Sequence, residues 1–165
     1  PSIQNLNNFY FSDLVTNSVK KYYEVPFINA AAWLIPKRTI EKIGLFDELF
    51  FHYGEDVNYC HRVKHYDLKI IFVPESKIHH DRQGREITIK NDNENLKRIL
   101  KIELANVNNS KTYIYKRFNY LKRHYLINLI KNLVTFKSVK NNLEIYSFLK
   151  NTKKEILKSW TKNKK

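Results

Sequence analysis

From Asp92 onward the chain is patterned as helix and little else, and this restricts the folds open to it. Leu96, Ile99, Leu100, Ile102, Leu104 and Val107 recur at helical spacing. Asp92 or Asn93 is placed to cap a helix running to about Asn106. Residues 111–160 carry Tyr, Leu and Ile at the same spacing, interrupted near 135–138, which predicts two or three basic amphipathic helices. Any sheet must therefore come from the first eighty residues. Val25 to Ile35 (VPFINAAAWLI) reads as a buried strand ended by Pro36. A short helix follows over about Arg38–Ile43, and Gly44 stops it. An aromatic loop, Leu45–Gly54, leads into a helix over Glu55–Tyr66, with Val57, Cys60 and Lys64 on one face and Val63 beside them. Lys69–Val73 is a second strand ended by Pro74, and Ile78–Asp81 a short extended piece. This order predicts an α/β class: part of an α/β domain over 1–110, then a basic helical extension over 111–165. Residues 1–22, polar apart from Phe9, Tyr10 and Phe11, carry no clear pattern.

Charge divides the chain at the same place. The net charge of +14 is spread unevenly. Residues 1–110 hold 15 Lys and Arg against 14 Asp and Glu, whereas residues 111–165 hold 15 against 2. Such a tail fits an anionic partner surface, or else a solvated helical face. The single cysteine, Cys60, permits no intrachain disulfide and suits a reducing compartment. No stretch reaches the roughly 20 apolar residues of a membrane span, and no signal pattern opens the chain. It contains no methionine and starts at Pro1, as expected of a piece of a longer protein or of one whose leader was removed.

Few residues are placed for chemistry. Glu55 and Asp56 open a helix behind an aromatic loop, where backbone amides orient a carboxylate and the rings exclude water. This suits a general base, and equally the acids favoured at any helix start. His79-His80 could offer one metal ligand or be ordinary surface histidines. Asp47-Glu48 could position a substrate or cap a turn, and Trp33 could be core or ligand platform. No glycine-rich phosphate loop, zinc spacing or nucleophile elbow is present.

The order of these pieces says more than any one of them. It runs from Asn29-Ala30-Ala31 to Gly44-Leu45-Phe46-Asp47-Glu48, then Phe50-Phe51, Tyr53, Glu55-Asp56-Val57-Asn58, Arg62, Val73-Pro74 and His80. Over residues 25–81 it resembles the C-terminal half of the family 2 glycosyltransferases, nearest to rhamnosyltransferase-like members. Tyr113, Tyr115, Arg117 and Asn119 extend the likeness weakly. The resemblance implies a GT-A-type fold without its N-terminal nucleotide-binding half, and inverting transfer from a nucleotide-sugar to a glycan or lipid-linked acceptor. It implies Asp56 as general base and Glu55, Asp47, Tyr53, Trp33 and Arg62 as substrate-binding residues. His80 would complete a divalent-metal site (Mg or Mn) whose other ligands lie in an Asp-x-Asp motif. That motif is absent here. The sequence also departs from the family in having Asn58 where a second acid is usual, Ala30 for a glycine, and Asp81–Arg85 for a Gly-Ser-rich segment. The setting implied is cell-envelope polysaccharide synthesis, in the cytoplasm at the inner face of the membrane.

A competing expectation is a non-catalytic basic module that binds nucleic acid or anionic membrane through 111–165. Arg117, Tyr120, Lys122, Arg123, His124 and Tyr125 interleave charge with aromatics. No nucleic-acid motif accompanies them, and that reading leaves the ordered series over 25–81 without a purpose, so nucleic acid is the weaker partner.

Overall fold

The computed structural model describes residues 8–51, 53–79 and 92–164. Among the described residues, helices make up 60% and the one sheet has two strands. In chain order the elements are α1 (Asn8–Val15), β1 (Tyr23–Val25), α2 (Lys37–Ile43), α3 (Glu55–His65), β2 (Ile70–Phe72), α4 (Asp92–Leu104), α5 (Lys111–Val134) and α6 (Lys140–Asn163).

The strands pair antiparallel, Tyr23 opposite Phe72 and Val25 opposite Ile70. Tyr23 and Val25 are buried while Glu24 faces out and meets Lys69 at 2.8 Å. The aromatic segment near the start forms α1 and covers the sheet. Tyr10 packs edge-on to Tyr23 and Phe72, and the Tyr23 hydroxyl donates to Asp13 at 2.8 Å.

The structure departs from two sequence expectations. The strand expected over Val25–Ile35 ends at Val25. Pro26 has no N–H to continue the ladder, β2 offers only three residues, and the chain turns at Asn29–Ala31. Ala30 to Ala32 are exposed and Leu34 is 99% exposed, so the apolar run is not a buried strand. The face of α3 also differs. Asn58, Tyr59, Cys60, Arg62 and Val63 are buried, Val57 only partly, and Lys64 is exposed. The inward face includes two polar residues that a pattern of apolar residues alone does not mark. Of the extended piece at 78–81, residues 78 and 79 have no regular structure, and 80 and 81 lie outside the described residues.

The second half folds as its pattern predicts. Helices α5 and α6 are separated by the break at 135–139 and run antiparallel. Lys122 lies over the Tyr146 ring and Lys153 over Tyr115. Leu100 and Leu104 of α4 join Ile114, Phe118, Ile145, Leu149 and Ile156 in one core. The 110/111 junction thus falls between two helices of the same core, where Ser110 caps α5 by accepting from the Tyr113 amide. Bidentate Arg117 to Glu103 fastens α5 to α4, and Lys97 to Glu144 fastens α4 to α6. Phe50 inserts into this core from the aromatic loop. A smaller core of Ile43, Tyr59 and Val63 lies under Trp33, Ile35 and Ile70. Among the described residues, no helix is long and apolar enough to cross a membrane.

Candidate active site

Two consecutive left-handed residues aim the acidic pair. Tyr53 has φ +65° and Gly54 φ +102°, and α3 starts immediately after them. Gly54 is buried. A Cβ there would stand 3.0 Å from Ile102 Cδ1 and 3.2 Å from Phe50 Cδ1. Only glycine meets both conditions, an open φ and no side chain. We expect Gly54→Ala to destabilise the fold by about 1–3 kcal/mol, read as a lower denaturant midpoint.

Asp56 sits half-buried in the first turn of α3, and its Oδ1 accepts the Val57 amide at 2.7 Å. The helix dipole favours an anion at this end. Glu55 beside it keeps Oε2 buried without a hydrogen-bond partner among the described residues. One turn on, Asn58 is completely buried, and neither its Oδ1 nor its Nδ2 has a partner among the described residues. An orphaned buried polar group costs about 1–3 kcal/mol. Cys60 is also buried. Desolvation pushes its thiol up to about 11, with the Asp56 charge adding to the rise and a backbone bond from Ile28 opposing it. It is therefore no nucleophile at neutral pH.

The other predicted residues divide into two groups. Tyr53 is exposed, and Trp33 is half-buried against the smaller core. Trp33 stacks on Phe46 with centroids 6.0 Å apart, and Arg98 lies over the Tyr53 ring. Asp47 and Arg62, expected to hold substrate, are turned inward instead. Arg62 is 2% exposed, donating to Ile43 O at 2.8 Å, Leu45 O at 2.6 Å and Asn163 Oδ1 at 3.3 Å. Asp47 Oδ1 accepts from the Leu49 amide, and its Oδ2 accepts from Ser159 and Asn163. Burial alone would raise the Asp47 pKa. The bonds from Leu49, Ser159 and Asn163 and the Arg62 charge outweigh it and hold the carboxyl below its ordinary value. This network clamps the Gly44–Phe50 loop between α3 and the last turn of α6. Asp47 and Arg62 thus hold the loop that leads to the Glu55–Asp56 turn.

Ser159 and Asn163 were not marked by the sequence, since they lie 112 and 116 residues from Asp47. Their only signal was two small polar residues, one turn apart, on an otherwise apolar helical face. His80 lies outside the described residues, as does Asp81. Among the described residues, no three His, Cys, Asp or Glu side chains converge to hold a metal ion. The donor set for the expected divalent ion is therefore not found among them.

No family model matches this chain, and neither a curated protein nor a solved structure matches it.

Proposed function

We propose that this chain is the acceptor-side part of an inverting glycosyltransferase, and that Asp56 is the general base that takes the proton of the acceptor hydroxyl. What supports the reading is the setting of Asp56. It is a half-exposed carboxylate at a helix N-terminus, aimed by the Tyr53–Gly54 turn and flanked by the orphaned carboxylate oxygen of Glu55. The ordered series over 25–81 gives that geometry its chemistry. In this reading the first 110 residues belong to a GT-A-type domain and the nucleotide-sugar is held by a donor part whose Asp-x-Asp this sequence does not contain. As the acceptor oxygen attacks the anomeric carbon, its O–H proton passes to Asp56. The bond to the nucleotide diphosphate breaks on the opposite face, and the anomeric configuration inverts. Glu55 orients the acceptor beside the base, Tyr53 and Trp33 wall the site, and a glycan or lipid-linked glycan at the inner membrane face is the acceptor.

Glu55→Gln tests the orientation role. In the enzyme that carries this chain with its donor part, it should raise the acceptor KM by about tenfold, a loss of roughly 1.4 kcal/mol, with the donor KM unchanged. Equal rises for donor and acceptor would assign Glu55 to the fold rather than to the acceptor.

A further inference from the structure

Helix α5 is apolar on two sides, and the fold uses only one of them. Ile114, Phe118 and Leu121 face the core. Leu126, Ile127, Ile130, Leu133 and Val134, on roughly the opposite side at 3.6 residues per turn, are all exposed. They cover the outer surface of the α5–α6 hairpin near its tip. A shallow cleft of about 300 Å³ there is lined by Ile127, Ile130, Lys131, Val134 and Thr135.

The tip carries an aromatic residue at a strained position. Phe136 is 98% exposed with φ +51°. Its N–H bonds Leu133 O at 3.3 Å and the Lys137 N–H bonds Asn132 O at 2.8 Å, the two bonds of a Schellman helix ending. The same ending follows α1 and α3, where the left-handed residues are Asn17 and Asp67. Asn and Asp tolerate that conformation and glycine prefers it, whereas phenylalanine gains nothing from it. Among the described residues, no packing accounts for a phenylalanine held there.

The charge around the tip identifies its counterpart. Between Glu103 and Glu144 the chain has eight Lys and Arg and no acidic residue. Lys131, Lys137 and Lys140 are exposed at the edge of the apolar patch. A nucleic acid would answer the lysines and leave the aliphatic side chains in water. An anionic lipid surface answers both, its acyl boundary taking the apolar groups and its headgroups the cations.

We propose that the α5–α6 hairpin docks tip-first on an anionic membrane, with Phe136, Leu133 and Val134 entering the acyl boundary and Lys131, Lys137 and Lys140 meeting lipid phosphates. This differs from basic amphipathic helices lying flat on the surface, because their main apolar faces are enclosed in the core. It is independent of the proposed transfer chemistry.

The test is co-sedimentation of the full chain with phosphatidylcholine vesicles, with and without phosphatidylglycerol, at low and high salt. The wild-type chain should bind the mixed vesicles and lose binding as salt rises. Phe136→Gly should weaken that binding by about tenfold or more without lowering the denaturation midpoint, because glycine is favoured at that helix end. Lys137→Glu with Lys140→Glu should abolish the preference for phosphatidylglycerol. Equal binding to neutral vesicles, or unchanged binding by Phe136→Gly, would overturn the proposal. So would a wild-type dimer that Phe136→Gly dissociates, since the tip would then cover a second copy of the chain.

Discussion

Arg62→Ala is expected to lower stability by about 3–5 kcal/mol, the cost of breaking a buried charged network by removing one member. The guanidinium is buried, donates to two backbone carbonyls and to Asn163, and lies 4.8 Å from the Tyr59 ring centroid. Its loss leaves the carbonyls of Ile43 and Leu45 short of a donor and Asp47 without its nearby positive charge. Arg62→Lys should recover only part of this, since one ammonium cannot span both carbonyls as the planar fork does. Chemical denaturation of the three proteins checks the order. A loss below about 1 kcal/mol, the range of surface pairs, would contradict the clamp. Acid titration reads the same network from Asp47. Its folded pKa is depressed, so its contribution is fully present above the unfolded value near 4 and is lost as pH falls through the lower folded value. Asp47→Asn should flatten stability across that acid window.

On the proposed reading, Asp56→Asn carries the largest expected effect on activity. The amide is nearly isosteric, and its oxygen can still accept the Val57 N–H that Asp56 Oδ1 takes now. Helix α3 should therefore start where it does, at the cost of a few tenths of a kcal/mol as the favourable dipole interaction is lost. What the amide lacks is a basic site for the acceptor proton. General base catalysis is worth about 10²–10⁴-fold, so the turnover number should fall by that factor. Asp56→Glu keeps the basicity but moves it by about one bond length, roughly 1.5 Å, and should fall between the two. A fold defect would instead lower turnover and melting temperature together.

What could be read from the sequence was local, and what could not was long-range. The stop at Gly44, the second strand ending before Pro74, the start of α3 at Glu55 and the break near 135–138 were all visible, because each depends on residues next to it. The run 25–35 misled because apolar composition does not supply an edge to pair with, and β2 is too short to provide one. The face of α3 was misjudged because Asn58 and Arg62 are polar and yet buried. Asp47 and Arg62 stood in the motif as candidate ligands. Their inward role depends on Ser159 and Asn163, more than a hundred residues away, and no spacing rule reaches that far. The exposed face of α5 lay in plain view as Leu126–Val134, but only packing shows which of two apolar faces is left over.

The most direct measurement of the central proposal is single-turnover sugar transfer by Asp56→Asn, in this chain joined to the proposed donor part, with nucleotide-sugar Kd and Tm measured on the same protein. The predicted result is a fall of about 10²–10⁴-fold in the transfer rate with Kd and Tm unchanged. Transfer at the wild-type rate would contradict the assignment of Asp56 as the base.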